Sequence, residues 1–133
     1  MSDETLSAGL TRALARGSAT VDKWCADGTL VEAAEVERKR GAAVTELEPD
    51  SLVVYRHRGV NCYLACVLEL PAADVARVNQ RLAGLPSSEE LLFWLVAHSA
   101  LRGLRPDQAM QAGRVERVQE HAEAWAAERR PPS

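Results

Sequence analysis

The chain has 133 residues, 47% of them hydrophobic and 26% charged, which is typical of one ordinary globular domain and excludes disordered and fibrous classes. Its formal net charge of -3 and pI near 5.6 provide no basic surface for phosphate backbones, so nucleic-acid binding is not expected. The longest apolar run, residues 91–97, is much shorter than the roughly 20 residues of a membrane span, and no membrane binding is expected.

The short apolar runs and the acidic start of the chain predict a cytoplasmic protein. The first residues, Met-Ser-Asp-Glu, are acidic and differ from the basic start of a secretion signal. Cys25, Cys62 and Cys66 are an odd number of cysteines, which favours reduced thiols over a disulfide framework. Only two of the 16 basic residues are lysines, and this usage is typical of a GC-rich, actinobacterial genome.

Helices are predicted throughout the N-terminal third. Leucines at every fourth position over residues 6–14 predict a first amphipathic helix that ends at Gly17. A second helix is predicted over residues 18–27, before the turn signal Asp-Gly. Thr29 and Glu32 have the spacing of a capping box, so a third helix is expected from Thr29 to residue 41.

The middle of the chain predicts two antiparallel strands. Residues 52–55, Leu-Val-Val-Tyr, are rich in β-branched and aromatic side chains, and residues 60–70 are apolar at every second position. Residues 60–70 also fit a helix, because apolar side chains recur there at three- and four-residue spacing. The short Arg58-Gly59 connection favours a hairpin.

Three further helices are predicted after the hairpin. Pro71 begins one that Gly84 closes, and Ser87 begins a second that is apolar all round over residues 91–97. The last helix has a narrow apolar seam over residues 115–125.

These elements predict an α+β fold. It is a helix-rich single domain over residues 1–128, with a central two-stranded antiparallel hairpin flanked by N-terminal and C-terminal helices. Residues 129–133 lack apolar side chains and are expected to be a disordered tail.

Cys62 and Cys66 are candidates for a redox or metal site. A four-residue spacing in a strand separates them by about 13 Å, too far for a disulfide or for two ligands of one zinc ion. No second ligand pair follows, so no metal site is predicted, and both cysteines are expected to be core thiols.

The densest positive cluster is Arg56-His57-Arg58, at the tip of the predicted hairpin. Two guanidinium groups beside an imidazole are suited to binding a carboxylate or phosphate next to a proton-transfer group. His57 is therefore the first candidate for a catalytic acid or base, and Arg56 and Arg58 are candidate binding residues. The alternative is a solvated turn.

His98 and Arg102 form a second candidate pair. They are expected one helical turn apart at the end of the apolar helix, where they could line a cleft as catalytic and binding residue. The alternative is a helix edge that reaches solvent. His121 is surrounded by glutamates and is expected at the surface.

Two short motifs resemble known sites. Asp50-Ser51-Leu52 resembles the attachment motif of acyl carrier proteins, which implies a Ser51 carrying phosphopantetheine; carrier proteins continue into a helix there, whereas this sequence favours a strand. The segment around residues 103–114 could be a helix-turn-helix with Gln108 exposed, although the acidic charge opposes DNA binding.

The sequence contains no phosphate loop, nucleophile elbow or zinc-protease motif. We therefore expect a small accessory or binding protein in a specialised-metabolite or peptide-modifying pathway, with no cofactor. The seam of the last helix, together with Trp24 and Trp125, favours a homodimer. The alternative is a small cofactor-independent enzyme that uses His57 or His98 on an anionic or peptide substrate.

Overall fold

The computed structural model describes residues 18–130, so the predicted helix over residues 6–14 lies outside the described part. That part contains six α-helices: α1 (Ser18–Asp27), α2 (Ala33–Arg40), α3 (Ala72–Arg81), α4 (Ser87–Leu95), α5 (Pro106–Gln111) and α6 (Val115–Arg129). It also contains three strands: β1 (Leu30–Val31), β2 (Val54–His57) and β3 (Val60–Leu64). The fold is helix-rich α+β, as predicted.

Two antiparallel strands pair in the middle of the chain, as predicted, although the first is Val54–His57 rather than residues 52–55. Strands β2 and β3 pair antiparallel with His57 opposite Val60, so that Arg58 and Gly59 alone form the connection. Both have positive φ angles, 53° and 77°, as a two-residue type I′ turn requires. Gly59 adopts this backbone without the steric cost that a Cβ atom would add.

The sheet has a third strand that the sequence did not predict. The backbone N–H and the hydroxyl of Thr29 donate to Oδ1 of Asp27 at 2.9 and 2.6 Å, so Thr29 does not cap a helix. Strand β1 follows and pairs antiparallel with β3, which gives the order β1-β3-β2. The helix predicted to begin at Thr29 is therefore wrong over its first residues, and α2 begins at Ala33.

The segment over residues 60–70, where apolar residues alternate with others, is a strand only in its first half. Strand β3 ends at Leu64, Ala65 has helical backbone angles, and Cys66–Glu69 forms a 3-10 helix. The N–H groups of Leu68 and Leu70 donate to backbone carbonyls three residues earlier, at 3.0 and 3.2 Å. A strand over the whole segment is thus wrong, and so is a continuous helix.

Each face of the sheet packs against a separate hydrophobic cluster. Because side chains alternate along a strand, Cys62 and Leu64 of β3 face one side and Tyr63 faces the other. Cys62 and Leu64 belong to the larger cluster, with the buried residues of α3, α4 and α6. Tyr63 packs in the smaller cluster with Val36, Leu52 and Leu68.

Helix α4 is the buried central helix, but it is shorter than expected. Residues 91–94 are buried, and the helix ends because Val96 is extended, with φ -101° and ψ 151°. His98 then pairs with Leu104, its N–H donating to the Leu104 carbonyl at 3.0 Å. His98 and Arg102 are therefore not on one helix. Within residues 18–130, no helix combines the length and apolar character that crossing a bilayer requires.

The apolar seam of α6 packs inside the protomer. Val118, Ala122 and Trp125 are buried in the larger cluster, and Trp24 is partly buried against it. This seam therefore gives no support to a homodimer, which stays a prediction.

Two residues of the predicted tail have defined contacts. The guanidinium of Arg129 lies 3.6 Å from the ring centre of Trp125, and its Nε lies 3.3 Å from Oε2 of Glu89. Arg130 donates to the carbonyls of Arg81 and Ala83 at 3.0 and 2.9 Å. Residues 131–133 lie outside the described part.

Candidate functional site

An open cleft of about 650 Å³ lies between α1, the β1–α2 connection and the tip of the hairpin. We call it the Cys25 cleft. Its lining includes Asp22 and Cys25 of α1, Leu30 of β1, and His57, Val60 and Cys62 of the hairpin. Asp22 and Cys25 are one helical turn apart, so α1 presents both on one face.

Asp22 connects α1 to the tip of the hairpin. Its Oδ1 accepts a hydrogen bond from Nε2 of His57 at 2.8 Å, and its Oδ2 accepts one from Nη2 of Arg58 at 2.8 Å. The His57 side chain is 12% exposed, whereas Asp22 and Arg58 are about half exposed or more. Two residues that the sequence proposed as a site thus share one carboxylate that it did not identify.

The contacts of Asp22 favour its ionised form. The hydrogen bond from His57 lowers the pKa of Asp22, and the charge of Arg58 lowers it further, while partial desolvation acts in the opposite direction. The ionised carboxylate is an acceptor only, and it receives both hydrogen bonds. The guanidinium of Arg58 is already engaged with this carboxylate.

Two thiols meet in the same cleft. The Sγ atoms of Cys25 and Cys62 lie 4.0 Å apart, although the two residues are 37 positions apart in sequence. Cys25 is exposed and Cys62 is buried. Burial raises the pKa of Cys62 to about 11, and the neighbouring Cys25 sulfur adds to this shift.

Cys66 lies in a different environment. It begins the 3-10 helix after β3 and lines another cavity, together with Asp27, Trp94 and Arg105. Burial raises the pKa of its thiol to about 12, and the nearby Asp107 carboxylate adds to the shift. Among the described residues, no group of three or more His, Cys, Asp or Glu side chains is arranged to hold a metal ion.

The other candidate residues do not line the Cys25 cleft. Arg56 is exposed on β2, and its side chain faces the opposite side of the sheet from His57. Arg102 lines a separate groove of about 800 Å³ beside the start of α6, together with Arg114 and Arg117. His98 is 1% exposed.

His98 belongs to an aromatic cluster in the core. Its Nε2 donates to the carbonyl of Phe93 at 2.9 Å, because a carbonyl can only accept. Its Nδ1 lies 2.9 Å from Nε2 of His121, and both imidazole rings pack near Phe93. His121 is therefore partly buried against His98, and its expected place among surface charges is wrong.

Ser51 and Gln108, the key residues of the two motifs, have other roles in the structure. Ser51 is 1% exposed, and its hydroxyl donates to the carbonyl of Glu48 at 2.6 Å, so its oxygen is not presented for attachment of a prosthetic group. Gln108 caps α5, because its Oε1 accepts the backbone N–H of Arg105 at 3.0 Å.

Asp22 and Cys25 are the site residues that the sequence did not identify. Asp22 lies on the polar side of α1, where charged residues are normally solvated, and the sequence places Cys25 beside Val21 and Trp24. The only available signal was their i, i+3 spacing on one face of α1. That spacing does not show that the tip of a hairpin more than 30 residues later packs against them.

No family model, curated protein or solved structure matches this chain at a significant level. The site is therefore interpreted from its own geometry.

Proposed function

We propose that this protein is a small binding protein whose Cys25 cleft accepts an extended peptide segment carrying apolar and basic side chains. The observation that carries the proposal is an open strand edge at Asn61, next to Val60, an exposed apolar side chain that lines the cleft. A volume of about 650 Å³ is in the range of ligand-binding clefts and is sufficient for a few residues of peptide.

The strand edge is the first part of this argument. Strand β1 pairs only with Leu64 and Tyr63, and the chain turns into α2 after Glu32. The N–H of Ala65 donates to Thr29 on the β1 side, and that of Leu64 donates to Val53 on the β2 side. By the alternation of an antiparallel ladder, the backbone of Asn61 faces the β1 side. Within residues 18–130 no strand residue pairs with it there, so a peptide strand can add at this edge.

The apolar surface is the second part. Val60 is 46% exposed, and the other large hydrophobic side chains of residues 18–130 are more buried. It lines the cleft together with Leu30, Ala34 and Cys62. An added strand would cover this surface with alternate side chains.

The charge of the cleft is the third part. Its lining contains three carboxylates, Asp22, Glu32 and Glu35, but only one guanidinium, that of Arg58. Asp22 pairs with Arg58, and Glu35 pairs with Arg38 from outside the lining. Glu32 is therefore the lining carboxylate that favours a basic partner over an anionic one.

The alternative function, an acid–base enzyme, has less support. The Asp22–His57 pair resembles part of a proton-transfer site, but Nε2 of His57 is directed at Asp22. The guanidinium expected to bind an anion is held by the same carboxylate. His98 and Arg102, the other proposed pair, do not line this cleft.

The test uses two fluorescein-labelled probe peptides, acetyl-Val-Lys-Val-Lys-Val-amide and its Glu analogue, with fluorescence anisotropy as readout. We expect the Lys peptide to bind and the Glu peptide not to bind. Val60→Asn should weaken the Lys peptide about fivefold, because roughly 1 kcal/mol of apolar burial is lost. Arg56→Gln, on the other face of the sheet, is the matched control and should leave binding unchanged.

A second probe tests strand addition itself. The Lys peptide with N-methyl groups at alternate residues cannot donate to the Asn61 edge and should lose binding. Equal binding of the methylated and unmethylated peptides would contradict strand addition. No binding of either Lys or Glu peptide, or amide shifts confined to the Arg102 groove, would overturn the proposed function.

A further inference from the structure

The neighbouring thiols of Cys25 and Cys62 lie in the same cleft, and their arrangement points to a chemistry of their own. We propose that Cys25 and Cys62 form a reversible dithiol–disulfide site that reacts with low-molecular-weight disulfides of the glutathione type. The inference does not depend on the proposed peptide-binding function.

The distance between the sulfur atoms is the main observation. The two Sγ atoms are 4.0 Å apart, close to van der Waals contact, and a disulfide bond of about 2 Å needs them to approach by a further ~2 Å. Each sulfur is positioned by one rotatable bond, Cα–Cβ, so this approach requires a rotation about that bond in one or both side chains. Cys66 lines a different cavity, so the structure selects one pair from three cysteines.

The difference in exposure assigns a role to each thiol. Cys25 is exposed on α1 at the cleft wall, where a dissolved disulfide can reach it. Cys62 is buried, and burial holds its pKa near 11, so it stays a protonated thiol at neutral pH. Cys25 is therefore the thiol that reacts first, and Cys62 is the resolving thiol.

The exchange proceeds in two balanced steps. In the first, the Cys25 thiolate attacks one sulfur of the small disulfide, the S–S bond of that molecule breaks, and one small thiolate leaves. In the second, Cys62 loses its proton, its sulfur attacks Sγ of Cys25, and the second small thiolate leaves. Two protein thiols are oxidised and one disulfide is reduced to two thiols, which carry the two released protons.

The bond would join two elements that are distant in sequence. Cys25 is near the end of α1 and Cys62 is in the middle of β3, 37 positions later. A cross-link over a loop of this length restricts the unfolded chain strongly. The oxidised protein should therefore unfold at a higher temperature than the reduced protein.

The experiment treats the full chain with oxidised glutathione at pH 8 and measures intact mass and non-reducing peptide maps. The wild type should lose about 2 Da, retain no glutathione, and yield a peptide pair joined through Cys25 and Cys62. Cys62→Ala should retain one glutathione on Cys25, because the second step is removed. Cys66→Ala, the matched control, should behave as the wild type does.

Three outcomes would overturn the proposal. They are a wild-type chain that keeps glutathione on Cys25, a disulfide that includes Cys66, and a chain that does not react. The wild type alone also provides a test, in case Cys62→Ala does not fold. Its unfolding midpoint should rise by about 5 °C or more on oxidation and fall again with dithiothreitol, and a midpoint that does not rise argues against the bond.

Discussion

The indole Nε1 of Trp94 donates a hydrogen bond of 2.9 Å to Oδ1 of Asn79, joining α4 to α3 inside the core. The Nδ2 of the same amide donates to the carbonyls of Asp50 and Leu52 at 2.7 and 3.3 Å. Asn79 is buried, and one side chain thus satisfies three polar groups where α3 and α4 meet the segment before β2.

Replacing Asn79 should therefore be costly. Asn79→Ala removes the partner of the Trp94 N–H in a dry environment, and we expect the free energy of unfolding to fall by about 2–4 kcal/mol. Urea unfolding followed by tryptophan fluorescence measures this loss. Gln80→Ala is the matched control, because Gln80 is exposed and its contact with Asp50 is at 3.5 Å; it should cost under about 0.5 kcal/mol. Equal stability of the two variants would contradict this role for Asn79.

Adding a side chain at Gly59 should destabilise the hairpin turn. Its φ is 77°, and a Cβ atom there would meet no other atom within 4 Å, so the cost of substitution comes from the backbone alone. We expect Gly59→Ala to reduce the free energy of unfolding by about 1–2 kcal/mol. Gly59→Asn should cost less, since Asn tolerates the left-handed region. Chemical denaturation of both variants tests the order, and an alanine variant as stable as the asparagine one would refute it.

Glu90 should make the stability depend on pH. Burial raises the pKa of Glu90 from 4.5 to about 7, and the nearby Asp50 carboxylate adds to the shift. Between these two pH values the folded state binds more protons at Glu90 than the unfolded state does. The stabilising contribution of protonated Glu90 is therefore fully present below about pH 4.5 and is lost as the pH rises through 7. The total loss is up to about 3 kcal/mol by pH 8.

Glu90→Gln removes this loss. The variant should be more stable than the wild type at pH 8 by about 1–3 kcal/mol, with a smaller difference at pH 4.5, as measured by urea unfolding at both values. Glu89→Gln is the control from the same helical turn. Because Glu89 pairs with Arg129, its substitution should not stabilise the protein at pH 8. A Glu90→Gln variant that is no more stable at pH 8 than at pH 4.5, relative to the wild type, would contradict the assignment.

The hairpin was predictable because its signals are local. A two-residue connection ending in glycine and β-branched residues before it are properties of adjacent positions, and they correctly placed His57 and Arg58 at the turn. Helix α1 was predictable for the same reason. The backbone conformation at Thr29 was not predictable. The Thr29–Glu32 spacing fits a capping box, but it also fits a turn in which Asp27 accepts hydrogen bonds from the N–H and the hydroxyl of Thr29.

The site was less predictable than the fold. The ends of α4 and β3 depend on tertiary pairing, such as His98 with Leu104, and periodicity contains no information about such partners. The proximity of Cys25 to Cys62 depends on how α1 packs against the sheet. Local sequence indicated which residues carry reactive groups, but their neighbours were set by contacts between distant segments.

The position of the sheet between two hydrophobic clusters has a consequence for folding. Strand β3 supplies Leu64 to one cluster and Tyr63 to the other, so neither cluster is complete until the hairpin has formed. A fragment of the chain without β3 would expose apolar surface from both layers. The described domain should consequently unfold in one all-or-none transition, with the same midpoint for fluorescence and circular dichroism.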